Sequence, residues 1–316
     1  MAMKRLLVVG GSGFIGRTLC RVAQPRGYAI TSLSLHAPEK AEEGVRYLVG
    51  TLTDRELLKP LLAGKQFEYV VNCGGYIDHR SYFSGGRNVI DAHFEGLLNL
   101  LDVLDRDCLK RFVQIGSSDE YGAAAAPQAE DTREAPISPY SMAKTAATHF
   151  LQMLWRTDGL PTVNLRLFLA YGPGQGRQRF LPQVIEGCLQ DRSFPVSEGE
   201  QLRDFCYVED VVEGMLGALD APAACGRVIN LASGTPVTLR RVVEQVRALV
   251  GRGQPQFGQL AYRKGENMAL WADVRLAGEL LGWAPRVSLE EGLARTIEYY
   301  RSRLAPAEVR LASGKG

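Results

Sequence analysis

Residues 8–16 read VVGGSGFIG, and this stretch decides how the chain folds. The run Leu6-Leu7-Val8-Val9 has the length and apolar character of a buried parallel strand. Gly10, Gly13 and Gly16 follow at G-x-x-G-x-x-G spacing, and a helix is expected to begin near Phe14. Between a strand and a helix, such glycines permit a tight turn, bring backbone close to a pyrophosphate and let the helix press on the sheet. The unpaired N–H groups at the helix start would then hold the phosphates. A glycine turn can also be only a turn, so its meaning depends on what surrounds it.

The 316 residues, 46% of them hydrophobic, are enough for one large core or a core with a smaller lobe. A net charge of +2 gives no basic field that would favour nucleic acid. The six cysteines are scattered, with no C-x-x-C pair and no secretory segment, which points to reduced thiols and a cytoplasmic location. No apolar run reaches membrane-spanning length, and no metal site is expected.

Beyond the glycine turn, strand and helix alternate. Residues 28–35 read as a second strand, 45–49 as a third, 54–62 as an amphipathic helix, 69–73 as a fourth strand, 97–104 as a buried helix and 111–115 as a fifth strand. That rhythm calls for a doubly wound parallel sheet, an α/β fold of Rossmann type, with ligands at the carboxyl ends of its strands. At the end of the second strand, where Asp or Glu would accept from an adenosine ribose, the chain has Ser34, then Leu35 and His36. Loss of that carboxylate favours NADP(H) over NAD(H), although His36 and Lys40 could equally be solvated loop residues.

The fifth strand runs into Gly116-Ser117-Ser118-Asp119-Glu120-Tyr121-Gly122, which places two hydroxyls and two carboxylates at the ligand edge. A helix opens at Pro139, and in it Tyr140 and Lys144 stand four apart on one face. An ammonium beside a phenol favours the phenolate and would bring its pKa toward working pH, which suits proton transfer. Without context the pair would be a packing Tyr and a surface Lys.

In this order, the glycine turn, the serine leaving the fifth strand and the Tyr140/Lys144 helix resemble the extended short-chain dehydrogenase/reductase family, in its nucleotide-sugar epimerase, dehydratase and 4-ketoreductase branch. The resemblance continues through Arg166-Leu-Phe-Leu-Ala-Tyr171-Gly-Pro173, Arg203-Asp204-Phe205-Cys-Tyr207-Val208-Glu-Asp210, Asn230-Leu-Ala-Ser-Gly234 and Leu281-Gly-Trp-Ala-Pro285. It implies Tyr140 as acid/base, Lys144 lowering its pKa and holding the nicotinamide ribose, and Ser117 bonded to the reacting sugar oxygen. It also implies a cofactor site formed by Gly10, Gly13, Phe14, Ile15, Gly16, Ser34, His36, Thr51, Leu52 and Cys73, with Tyr140 and Lys144. The substrate side would comprise Tyr76, His79, Ser118, Arg179, Arg203 and Arg263, the last two either gripping a diphosphate or lying on the surface. The resemblance further implies a homodimer formed through residues 97–104 and 139–155.

Dehydratases of this branch carry an acid and a base beside the catalytic Ser or Thr. Here Ser118 falls at the acid position and Asp119 at the base position, so Asp119 keeps elimination open while the segment looks closer to 4-ketosugar reductases. Asn72-Cys73-Gly74-Gly75 stands where relatives have His-Leu-Ala-Ala, Leu169 where many have an Asn, and Thr51 where they often have an Asp. The expectation is an NADPH-dependent reductase of an NDP-4-keto-6-deoxysugar, with an NAD-dependent 4-epimerase or 4,6-dehydratase as the rival. A non-catalytic cofactor-binding protein is the alternative of another class. Residues 1–170 would bind the dinucleotide, helped by returning segments in 205–232, residues 171–310 would form a nucleotide-sugar lobe, and 311–316 a frayed tail.

Overall fold

The strands that the glycine turn feeds are apolar on both faces, and they assemble into one parallel sheet with helices on either side. The computed structural model describes residues 3–262 and 265–304. Arg263 and the expected tail lie outside them. In the first part of the chain come β1 (Lys4–Val9), α1 (Phe14–Ala23), β2 (Tyr28–Ser34), β3 (Val45–Val49), α2 (Arg55–Leu62), β4 (Tyr69–Asn72), α3 (Arg87–Ile90), α4 (Gly96–Val103), β5 (Arg111–Ser117), α5 (Pro139–Asp158) and β6 (Thr162–Leu167). The remainder holds β7 (Leu169–Tyr171), α6 (Phe180–Leu189), β8 (Ser193–Pro195), β9 (Leu202–Tyr207), α7 (Val208–Asp220), β10 (Val228–Leu231), β11 (Pro236–Thr238), α8 (Leu239–Val250), β12 (Gln254–Gln256), β13 (Ala269–Leu270), α9 (Arg275–Leu281) and α10 (Leu289–Leu304).

Seven strands pair in the order β10-β6-β5-β4-β1-β2-β3, all parallel. The order reverses beside β1, which opens a crevice at the carboxyl ends of β1 and β4. Period-two alternation gives β1 two buried faces. Leu6 and Val8 join a core with Leu19, Val211 and Met215, while Leu7 and Val9 join another with Leu97, Leu100 and Leu151. A third core, built on α6, α8, α10 and β9, lies in the C-terminal part, where β9 pairs with β7, β11 and β13.

Two element boundaries differ from expectation for identifiable reasons. β5 continues to Ser117 because Gly116 and Ser117 pair with Arg166 and Leu167 of β6. The helix expected at 97–104 is preceded by α3 and a wide π turn at Asp91–Glu95, a feature with no apolar periodicity to reveal it.

At the turn itself, Gly10 has φ +78°, and a Cβ there would lie 2.9 Å from the Cys73 carbonyl oxygen. A Cβ at Gly16 would fall 2.2 Å from the Gly10 carbonyl, a backbone atom that cannot step aside. Gly16→Ala is therefore expected to destabilise the fold by about 1–3 kcal/mol, read as a lower urea midpoint with an unchanged slope.

Candidate active site

The glycine turn and Tyr140 are joined by a short chain of contacts. Cys73, just beyond β4, sets its carbonyl against Gly10. Two residues on, Gly75 (φ +107°) lies flat against His93, and the His93 ring meets the Tyr140 ring edge-on with centroids 5.2 Å apart. His79 meets the same phenol ring edge-on at 5.8 Å.

Tyr140 and Lys144 stand in the first two turns of α5, which Ser138 starts by accepting from the Ser141 N–H at 3.1 Å. Lys144 is buried, and its Nζ donates to the Ile115 carbonyl at 2.7 Å, 5.9 Å from the Tyr140 ring centroid. Burial lowers its pKa to about 8, against the opposing pull of Glu120 and Cys73. Tyr140 departs from the expectation that Lys144 would make it acidic. Burial above all, then the Asp119 carboxylate, pushes its pKa above the ordinary tyrosine range, while a hydrogen bond with Ser117 and the charge of Arg179 pull it back. The phenol is thus held protonated.

Ser117 ends β5 and caps the short helical turn after it, its Oγ accepting from the Asp119 N–H at 3.2 Å. That bond uses a lone pair and leaves the hydroxyl proton available to a partner. The two carboxylates of this segment do not converge. Glu120 is fully buried, accepting from the Ser117 N–H (2.8 Å), Thr148 Oγ1 (2.9 Å) and Arg166 Nε (3.0 Å). Arg166, itself fully buried, also pairs with Glu134 and covers the Tyr121 ring. Asp119 faces His79, with Nε2 and Oδ2 3.9 Å apart. Ser118 is buried.

The other expected residues are dispersed around this centre. Ser34 is buried, and its Oγ accepts from the Ser12 N–H at 3.1 Å, which braces the glycine turn. Leu35 and His36 are exposed beyond it. Thr51 bonds Thr53, and the Leu52 carbonyl accepts from Asn99 at 2.9 Å. Cys73 is half-buried, with a thiol pushed by desolvation to about 12. Tyr76 is exposed on the loop over the site. Arg179 caps α6 within electrostatic reach of Tyr140, and Arg203 pairs with Glu266. His93, which sequence reasoning passed over, lies at the centre.

The turn suits a dinucleotide. Gly13 brings no side-chain cap to α1, and Phe14, Ile15 and Gly16 of its first turn include no acidic residue, so the positive end of the helix can meet a pyrophosphate. Among the described residues no cluster of His, Cys, Asp and Glu could hold a metal ion, and no helix is long and apolar enough to cross a membrane.

Residues 6–232 match the family described as NAD dependent epimerase/dehydratase. The UDP-glucuronate 4-epimerase of Thermodesulfobacterium geofontis is 25% identical, over 94% of this chain and 96% of its own length. The dTDP-glucose 4,6-dehydratase of Xanthomonas campestris pv. campestris is 28% identical, over 94% and 93%. The structure of MoeE5 in complex with UDP-glucuronic acid and NAD superposes with a TM-score of 0.85 at 27% identity, over 95% of this chain and all of MoeE5.

Lys144 links the site to stability. Its ordinary pKa of 10.5 falls to about 8 in the fold, so the unfolded chain binds more protons between those values and stability rises with pH across that window. Below pH 8 the fold bears the full cost of a buried ammonium. Lys144→Met is expected to melt higher than the wild type at pH 7, by a margin that shrinks as pH rises from 8 to 10.5, measured by thermal unfolding across pH.

Proposed function

The chain belongs to the NAD dependent epimerase/dehydratase family, and from that premise we propose that it reduces the C4 ketone of a nucleotide-diphosphate 6-deoxysugar. The observation that carries this reading is the Tyr140 phenol, buried, bonded to Ser117 and held in its protonated, donor form. A bound NADPH would supply hydride to C4. Tyr140 gives its proton to O4, and Ser117 hydrogen-bonds the same oxygen as charge gathers on it. We read the Lys144 ammonium, on the same helix face, as the group that holds the nicotinamide ribose.

Elimination of water needs an acid and a base beside Tyr140. Ser118 is buried and has no carboxyl group, and both oxygens of Glu120 are engaged with Ser117, Thr148 and Arg166, which leaves Asp119 alone. This supports reduction over dehydration. The absence of Asp or Glu at Ser34, Leu35 and His36 supports NADP(H), since no carboxylate would repel a 2′-phosphate. We read Tyr76, His79, Ser118, Arg179, Arg203 and Arg263, with much of 171–310, as the nucleotide-sugar side of the cleft. The second reading, a 4-epimerase that keeps NAD and returns the same hydride, is favoured by the epimerase among its relatives and by the NAD in MoeE5.

Purified protein given dTDP-4-keto-6-deoxyglucose is expected to consume NADPH, and Tyr140→Phe to slow that by at least about a hundredfold. Turnover of UDP-glucose or UDP-glucuronate with no added nicotinamide, and no NADPH consumption, would establish the second reading in its place. We also propose a homodimer through α4 and α5, because Ile137, Met142, Met153 and Trp155 expose apolar surface along and beside α5. Sedimentation is expected to give twice the chain mass; a monomer at micromolar concentration refutes it.

A further inference from the structure

The His93 imidazole is 4% exposed, and no step of the proposed reaction uses it. It stands in the π turn Asp91–Glu95, whose extra residue per turn alters which side chains face inward, and such turns recur at functional sites. Its Nε2 lies 2.8 Å from the Tyr76 carbonyl oxygen. A carbonyl can only accept, so Nε2 carries the hydrogen and Nδ1 is a bare lone pair, buried and without a partner among the described residues. Desolvation and the nearby Lys144 ammonium hold the ring neutral, with a pKa of about 3.

The ring is wedged between two surfaces. On one side is Gly75, where a Cβ would fall 2.1 Å from His93 Cε1. On the other is the face of Tyr140, met at an interplanar angle of 78°. We propose that His93 is a positioning residue. Its Nε2–H latches the loop bearing Tyr76 and His79, and its ring, matched to the missing side chain of Gly75, fixes the phenol of Tyr140. The inference deepens the proposed role of Tyr140 as proton donor. The groups acting on that phenol are Ser117, Asp119, Glu120 and Arg179, with Lys144 and His79 packed near its ring. Releasing the latch opens the loop, carries His79 off the phenol ring and admits water beside it, while leaving Ser117, Asp119, Glu120, Arg179 and Lys144 in place.

The test is the titration of Tyr140, followed in protein labelled with 13C at the tyrosine ring carbons and assigned by comparison with Tyr140→Phe. His93→Phe keeps a ring and loses the donor; His93→Gln keeps a donor at a similar reach. In His93→Phe the Tyr140 midpoint is expected to fall by about one pH unit or more, because the phenol becomes hydrated, and His93→Gln is expected to restore it. Gly75→Ala, with His93 intact but displaced, should reproduce the fall and serves if His93→Phe does not fold. With NADPH and dTDP-4-keto-6-deoxyglucose, His93→Phe should lower kcat/KM about fivefold, kcat included, because the proton donor is no longer fixed. A wild-type titration in both His93→Phe and Gly75→Ala, or a His93→Gln protein that behaves like His93→Phe, overturns the proposal. Wild-type protein inert toward that sugar would refute the proposed reaction, and the titration would still decide the place of His93.

Discussion

The site depends on one buried carboxylate. Glu120 Oε1 accepts from the Ser117 N–H at the end of β5, and Oε2 accepts from Thr148 on α5 and Arg166 on β6. β5, α5 and β6 are thereby fixed to one group near Ser117. A carboxylate with no exposure persists only with charge compensation and satisfied lone pairs, and Arg166 provides the compensation. Arg166 in turn reaches Glu134, which faces His149 of α5 at 3.3 Å. Removing Glu120 would leave a buried guanidinium short of charge and cut the ties that Thr148 and Arg166 make to the Ser117 strand end.

Much of this arrangement was legible in the residues because it is local. The strand, glycine turn and helix at 6–23 are encoded in consecutive positions, and Tyr140 and Lys144 share a helix face by spacing alone. Glu120 was not legible. Beside Asp119 it looks like half of a solvated acidic pair, and its burial follows from an arginine 46 residues away on another strand. Ser34 fell at the expected place in the fold, yet its hydroxyl turned back to Ser12, a choice set by the path of the turn. His93 carried no signal, because a π turn breaks the periodicity by which a helical residue's face is read.

Burial outweighs any effect of Lys144 on Tyr140. Lys144 Nζ donates to the Ile115 carbonyl and lies 5.9 Å from the centre of the phenol ring. Burial then dominates both groups and shifts them in opposite directions, the phenol toward its neutral form and the ammonium toward deprotonation. The phenol and the ammonium both keep their protons at neutral pH, a state suited to giving a proton to oxygen.

Among the groups with the largest effect on the phenol, Arg179 comes from the C-terminal part of the chain, at the start of α6. Ser117, Asp119 and Glu120 all belong to one short stretch at the end of β5 and just beyond it, fixed by its capping box and by the Glu120 network. The acidity of Tyr140 therefore has a fixed component from the parallel sheet and a component that depends on where α6 sits.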